Sequence, residues 1–346
     1  MSAGHAGKVR ATVYGQAIGD ALGLRAEYKS AKAVEALYPD GGPRVFEPVD
    51  RNVFGLREVW APGQWSDDTD TFLRVLDAYA DVCTSSPDAD PPWADLAQAF
   101  ARHLVAWKDG NVRGMGHHTR TVLSSPDYLA DPMGVSARVW AARPADAVPA
   151  NGGVMRAAAV GLLRPWAFRG WTATAAALFC QATHYGAPCV ASSVAVGVLV
   201  ASLVAGNTLT RSLEEAEEQA SKYDPEVVRW TRVVNLADLK LDEGLPKREG
   251  VPVLVGHTYK AMGAAFWAVQ HAARLKALRT SGRERFRKCL ETVILAGGDT
   301  DTNGAVVGAV LGAYEGVSGI PDVLAEGLDP RVDLDVRILR VLSTHG

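Results

Sequence analysis

Apolar residues along this chain recur mostly at intervals of three and four, and few runs alternate with period two, so the pattern predicts helices and little sheet. Helices are expected near 8–24, 69–83, 93–107, 154–163, 170–182, 188–206, 256–275, 284–296 and 303–315. SSPDADPP at 85–92 and the Pro/Asp/Ala-rich stretch 124–150 read as loops. The charged segment 207–250, with Pro225 and Pro246, reads as a surface excursion carrying short helices. No internal repeat and no long low-complexity linker interrupts the chain, so one domain over 1–346 is expected.

Two predicted helices share a second pattern. Gly15, Gly19 and Gly23 recur every four residues, and so do Gly304, Gly308 and Gly312. A glycine inside a helix costs about 1 kcal/mol against alanine, so three in register need a compensating contact. A flat face that admits another backbone supplies one, and the two helices are expected to pack closely at the centre of the fold. A membrane dimer motif would need a more apolar helix, and Asp20 argues against it.

Composition narrows the class without naming it. The chain has 346 residues, 22% of them charged, and a net charge of −3, which gives no basic footprint for gripping a polyanion. Cys83, Cys180, Cys189 and Cys289 lie far apart with no CxxC, which fits reduced thiols in a cytoplasmic protein. MSAGHAGKVR lacks an apolar core, so no secretory signal is expected. The sixteen residues Val190 to Ala205 fall short of the roughly 20 a bilayer needs and include three serines, so a buried central helix is expected. The basic run Arg274 to Lys288 reads as a solvated helix end in preference to a docking patch.

The chemistry gathers in two short acidic segments. Ser66-Asp67-Asp68-Thr69-Asp70 precedes one apolar helical run, and Gly298-Asp299-Thr300-Asp301-Thr302-Asn303 precedes the second glycine ladder. One acceptor, such as Ser66 or Asp67, is enough to cap a helix, and the helix dipole favours negative charge there. Each segment supplies several carboxylates, which repel unless something positive lies between them. Asp299 and Asp301 would diverge on a regular helix, so they converge only if Gly297-Gly298 permits an irregular start. Hard oxygen donors without His or Cys suit Mg²⁺, Mn²⁺ or Ca²⁺ over Zn²⁺.

GQAIGDALGLRAE (15–27), QWSDDTD (64–70), NGGVMRAA (151–158), ATH (182–184) and AGGDTDTNGAVVGAVLGAY (296–314) together resemble the ADP-ribosylglycohydrolase family, of the dinitrogenase reductase-activating glycohydrolase and ADP-ribosyl-acceptor hydrolase type. The resemblance implies an all-α, compact orthogonal helical bundle with a central two-metal cleft. On matching positions it implies Ser66, Asp67, Asp68, Asp299, Asp301 and Thr302 as ligands of two divalent cations, Mg²⁺ first and Mn²⁺ second. It places Glu27 at the metal edge as switchable ligand or acid/base, and Asn151, Gly152 and Gly153 in a loop whose N–H groups face a diphosphate. His184 matches a histidine lining the ADP-ribose cleft, and Gly116 belongs to the stretch implied to contact substrate. Read locally, Asn151-Gly152-Gly153 is a plain turn, His184 a satisfied core histidine and Glu27 a surface residue.

One position departs from the pattern. The stretch Gly114-Met115-Gly116-His117-His118-Thr119 aligns with a segment that often begins with aspartate in members acting on ADP-ribosyl-arginine, and Asp109 is not obviously equivalent. A glycine there leans toward O-linked ADP-ribose. The expected activity is thus hydrolysis of the bond between ADP-ribose and a protein or small-molecule acceptor, with a nucleic-acid acceptor left open and no membrane partner. The competing readings are a non-catalytic ADP-ribose-binding or structural member of the same fold, and a two-metal phosphohydrolase.

Overall fold

A computed structural model of the chain describes all residues except 1–2, 54–55, 86–89, 111, 146, 168, 246–253 and 346. Part of the expected loop at 85–92 and the end of the 207–250 segment, Pro246 included, lie outside the described residues. The chain opens with α1 (Ala3–Gly23), a 3-10 turn at Leu24–Ala26, β1 (Lys29–Ser30), α2 (Ala31–Leu37) and a hairpin of β2 (Val49–Val53) and β3 (Leu56–Trp60). Next come α3 (Asp67–Ser85), α4 (Trp93–Lys108), α5 (His117–Leu123), α6 (Pro132–Ala141), α7 (Ala157–Leu163) and α8 (Arg169–Gln181). They are followed by α9 (Ala187–Val204), α10 (Leu209–Ser221), α11 (Val227–Thr231), α12 (Thr258–Ala277) and α13 (Gly282–Leu295). The chain ends with β4 (Gly297–Gly298), α14 (Thr300–Glu315), α15 (Asp322–Glu326) and α16 (Arg331–Ser343). The fold is all-α, as expected.

The glycine ladders meet. A Cβ built on Gly15 would lie 2.1 Å from the carbonyl oxygen of Gly308, one on Gly19 1.9 Å from that of Gly304, and one on Gly23 2.2 Å from that of Thr300. Rising numbers on α1 therefore meet falling numbers on α14, and the helices run antiparallel in backbone contact. Where they meet last, the Thr300 hydroxyl donates to the Gly23 carbonyl at 2.7 Å. This joins the C-terminal end of α1 to the N-terminal end of α14.

Around this pair the core is built from Val, Leu and Ala faces. Helix α9 packs on α7, α8, α10, α12 and α14, and nearly every residue along it is buried. It is the one helix among the described residues long and apolar enough to cross a membrane, but 89% of that window is buried in the protein. The basic run Arg274 to Lys288 spans the end of α12 and the start of α13. There Arg283, Arg285, Arg287 and Lys288 pair with Asp322, Glu315, Glu291 and Glu284.

The structure adds to the expected elements in several places, α2, the β2–β3 hairpin, α5 and α15 among them. Residues 132–141, inside the stretch read as loop, form α6 because the Asp131 side chain accepts from the Gly134 amide at 2.8 Å and Pro132 begins the helix. Helix α16 also lies beyond the last helix expected. Its buried stripe is only Leu334, Ile338 and Val341, on a helix otherwise rich in Arg and Asp.

The backbone contact gives a direct test. Gly304→Ala puts a Cβ 2.4 Å from the Gly19 carbonyl oxygen, whereas at Gly7, on the same helix pair, the nearest atom would be 3.5 Å away on a valine methyl. Gly304→Ala is expected to destabilise the protein by about 3 kcal/mol or more, and Gly7→Ala to be neutral or stabilising by up to about 1 kcal/mol. Equal midpoints in urea denaturation for the two variants would refute the close approach.

Candidate active site

The end of the glycine contact opens onto a cavity of about 680 Å³. Its size falls in the range of about 300–1,000 Å³ usual for small-molecule sites. Five carboxylates reach it: Glu27, Asp67, Asp68, Asp299 and Asp301. Among the described residues Arg51 is the only arginine or lysine in its wall.

Each acid arrives by an identifiable device. Glu27 ends the 3-10 turn after α1 in extended conformation, and Tyr28 follows with φ 59°. The Tyr28 amide donates to the Gly298 carbonyl at 2.8 Å, and β1 then pairs antiparallel with β4, Lys29 opposite Gly298 and Ser30 opposite Gly297. Gly297 and Gly298 both have positive φ, 73° and 85°, and a Cβ at Gly298 would meet the Leu241 carbonyl oxygen at 2.1 Å. This irregular start turns both Asp299 and Asp301 into the cavity. Carboxylate oxygens of Glu27, Asp299 and Asp301 lie within 4.8 Å of one another.

The other segment is freed by a residue on α1. Asp20, fully buried, accepts from the Ser66 amide at 3.0 Å, the Thr69 amide at 2.9 Å and the Thr69 hydroxyl at 2.7 Å. Burial pushes its carboxyl up to about 6, against the pull of those donors. Asp20 thus takes over much of the capping that Ser66 or Asp67 was expected to do, and Asp67 and Asp68 are left to face the cavity. Ser66 stays local: its hydroxyl accepts from the Asp68 amide at 3.3 Å and donates to Asp68 Oδ2 at 3.1 Å. Asp70 is held away from the cluster by the indole N–H groups of Trp65 and Trp107, each at 3.0 Å.

The electrostatics are unbalanced. Burial pushes the carboxyls of Asp67, Asp68 and Asp299 well above the usual carboxylate range, and repulsion from neighbouring aspartates adds to it. Asp301 is raised by burial too, with Arg51 acting against the rise. Among the described residues Asp68 Oδ1 is buried without a hydrogen-bond partner. Oxygen donors in this arrangement, with an orphaned anionic atom, fit a hard divalent cation.

The opposite wall is different in kind. His184 is buried and its Nδ1 lies 2.8 Å from the Thr183 hydroxyl, which accepts from Arg156 at 2.6 Å. Arg156 can only donate, which leaves the Thr183 hydroxyl proton available for Nδ1, an arrangement compatible with the neutral Nε2–H tautomer. Burial holds His184 well below the ordinary histidine range, with His118 and Arg156 adding to it. His118 packs against its ring at 4.7 Å and contacts the Thr183 carbonyl through Nε2 at 2.9 Å. Gly152 is required by this packing, since a Cβ there would lie 2.6 Å from His184 Cε1.

Of the expected site residues, Glu27, Asp67, Asp68, Gly116, Asn151, Gly152, His184, Asp299, Asp301 and Thr302 line the one cavity. Ser66 and Gly153 stand behind its wall; a Cβ on Gly153 would meet Cys180 Sγ at 2.6 Å. Of the three N–H groups of the 151–153 loop expected to face a diphosphate, that of Asn151 donates to the Gly256 carbonyl at 3.0 Å. The Asn151 side chain instead donates to Asp299 Oδ2 at 2.8 Å. Glu27, read locally as a surface residue, is 9% exposed.

Sequence reasoning passed over Asp20 and Arg51. Asp20 sat inside the quoted GQAIGDALGLRAE, and an acid on a helix whose glycine face is buried was an available signal. Arg51 gave only a weak one, the charge match of Asp50 and Arg51 to Arg57 and Glu58 across the hairpin.

The chain matches the ADP-ribosylglycohydrolase family over residues 1–345, and it belongs to that family, whose members are generally divalent-metal-dependent hydrolases. It is similar to a protein of Archaeoglobus fulgidus described as uncharacterized, 25% identical and covering 98% of this chain and 97% of that one. It is also similar to the uncharacterized protein YegU of Escherichia coli K12, 23% identical over 95% and 93%. A solved structure described as an ADP-ribosylglycohydrolase-related protein complex shares the fold, with a TM-score of 0.63, 20% identity and 99% of each chain covered.

Asp20 does not line this cavity, so its replacement separates support from ligation. Asp20→Ala orphans three donors, at about 1–3 kcal/mol for each that stays buried. The variant is expected to melt earlier and to bind Mn²⁺ at least tenfold more weakly. Wild-type melting and wild-type Mn²⁺ affinity together would remove Asp20 from the support of the site.

Proposed function

We propose that this protein is a divalent-cation-dependent glycohydrolase that releases ADP-ribose from an acceptor, reversing ADP-ribosylation. The observation that carries the reading is the convergence of Glu27, Asp67, Asp68, Asp299 and Asp301 on one end of a cavity whose other end is built from Asn151, Gly152 and neutral His184. A non-catalytic relative has no need to keep all five acids.

Asp67, Asp68, Asp299 and Asp301 would hold two cations, Mg²⁺ ahead of Mn²⁺, with Thr302 beside them in the same wall; Ser66 would join the set only by turning its hydroxyl away from Asp68. When bound, such ions supply Lewis acidity and a template for sugar hydroxyls. The protein's own part is positioning and proton transfer. Asp299 is oriented by the Asn151 side chain, and Asp68 by the Ser66 hydroxyl. Cleavage at the anomeric carbon passes through an oxocarbenium-like state. With Oε2 of Glu27 in an ion pair with Arg51, Oε1 is the atom left to protonate the departing acceptor or take a proton from water.

The lean toward an O-linked acceptor over arginine rests on residue 114. Gly114 has φ 82°, and a Cβ there would come 2.7 Å from Asp67 Oδ1, so position 114 brings no carboxylate of its own to receive a guanidinium. Asp109 does not substitute for it, since it ends α4 and pairs with Lys108. The acceptor is read as a protein side chain or small molecule, with a nucleic-acid end as a further candidate, in a cytoplasmic setting.

Release of free ADP-ribose from matched serine-linked and arginine-linked peptides, with Mg²⁺ and with chelator, tests the class. Chelator-sensitive release is expected, faster from the serine-linked peptide; release of AMP would point to a phosphohydrolase instead. Asp68→Ala and Asp301→Ala are expected to lose Mn²⁺ binding in calorimetric titration, and a variant with full turnover and wild-type affinity would overturn the ligand assignment. Glu27→Gln is expected to keep ADP-ribose binding while turnover falls at least 100-fold, in line with the ~10²–10⁴-fold usual for a general acid or base. Unchanged turnover would take Glu27 out of the chemistry.

A further inference from the structure

The hairpin β2–β3 contributes one side chain to the acidic end of the cavity, and that side chain is its only arginine or lysine among the described residues. Arg51 is fixed from four sides. It forms an ion pair with Glu27, pairs with Glu58 at 3.3 Å, donates to the Leu24 carbonyl at 3.1 Å, and lies over the Trp60 ring at 4.6 Å. Both carboxylate partners are largely buried, with 7% of the Glu27 side chain and 17% of the Glu58 side chain exposed. Glu58 stands opposite Arg51 in the hairpin register, and its Oε1 accepts from the Gly114 amide at 2.9 Å. The hairpin therefore grips both the proposed acid/base and the rim where the acceptor would lie.

Glu27 has two competing claims on it. Its carboxylate reaches within 4.8 Å of the oxygens of Asp299 and Asp301, which is the spacing of a shared cation, and it is also in contact with the guanidinium. A guanidinium and a divalent cation repel each other, and each strengthens when the other is absent. Arg51 is already satisfied by Glu58, the Leu24 carbonyl and Trp60, so it stays in place when its hold on Glu27 loosens.

We propose that Arg51 is the positioning residue for Glu27, a resident cation that competes with the divalent ion for its carboxylate and so keeps one Glu27 oxygen available for proton transfer. This rests on the glycohydrolase reading of the cavity. Removing the guanidinium charge is then expected to have opposite effects on binding and on turnover. The cation gains a ligand and loses a repulsive neighbour, while the reaction loses its positioned acid/base. A merely structural arginine would weaken both together.

The test uses the full chain, with Mn²⁺ alone as the binding probe and ADP-ribose release as the activity probe. Arg51→Met is expected to bind Mn²⁺ about tenfold more tightly, with kcat reduced at least tenfold and KM little changed. Arg51→Lys keeps the charge without the planar fork and is expected to restore wild-type affinity and part of kcat. Glu58→Gln leaves Arg51 one carboxylate partner fewer, tightens its hold on Glu27, and is expected to weaken Mn²⁺ binding by about twofold to fivefold. If Arg51→Met does not fold, the opposite shift in Glu58→Gln and the restoration by Arg51→Lys decide alone. Weaker or unchanged Mn²⁺ binding in Arg51→Met, or unchanged binding in Glu58→Gln, overturns the proposal. Absence of Mn²⁺ binding by the wild-type protein would instead sink the reading of the cavity on which it rests.

Discussion

The backbone contact between α1 and α14 is the constraint from which the rest follows. Side chains ordinarily hold helix axes about 8–10 Å apart, but here the glycine faces let carbonyl oxygens come within a Cβ's reach. Because the helices are antiparallel, the end of α1 meets the start of α14, and the chain leaving one and entering the other must pass side by side. The short pairing of Lys29-Ser30 with Gly297-Gly298 is that passage. Glu27 and Asp299 flank it, which is why an acid near the N-terminus and one near residue 300 share a site. The ladders therefore fix a separation and an axial register at once. A slip of one turn would take Glu27 out of range of Asp301.

The same helix then recruits the third element. Asp20 follows Gly19 on α1 and reaches Ser66 and Thr69, so the start of α3 is hung from the central pair. Two helix N-termini, those of α3 and α14, consequently meet at the cavity, each carrying acids in its first turn. Their dipoles offer roughly half a positive charge apiece, and Arg51 offers one more. That is too little for five buried carboxylates, and the raised carboxyls of Asp67, Asp68 and Asp299 are the thermodynamic expression of the shortfall. A bound divalent cation is the direct way to make good the deficit without distorting the fold.

Much of this was legible in the sequence because it is written in local chemistry. The glycine period announced the close pair, the Gly297-Gly298 dipeptide announced the irregular start, and the clustered acids exceeded any capping need. Helices with long apolar faces, α4, α8 and α9, were placed within a residue or two of where they lie, whereas the start expected at 154 is a 3-10 turn and α7 begins at Ala157. What stayed hidden depends on partners far along the chain. Helix α6 is short and set among Pro and Ala, so its Asp131 cap was outvoted by loop composition. The burial of Glu27 needs β4, and the use of the Asn151 amide needs Gly256, more than a hundred residues away. No local pattern carries such information.

Asn151 shows how these distant constraints make one site of two unlike walls. Its amide hangs from the Gly256 carbonyl, and its side chain donates to Asp299. The next residue, Gly152, has no side chain because His184 occupies that space. Moving Asp299 would therefore pull on Asn151, and through it on the Gly152–His184 contact. Arg156 closes the circuit, donating to both the Gly152 carbonyl, at 2.5 Å, and the Thr183 hydroxyl that orients His184. The acidic end and the histidine end are thus connected by hydrogen bonds through half-buried Asn151 and buried Arg156. A ligand spanning the cavity would meet both walls already set at a fixed separation, which lowers the ordering cost of binding.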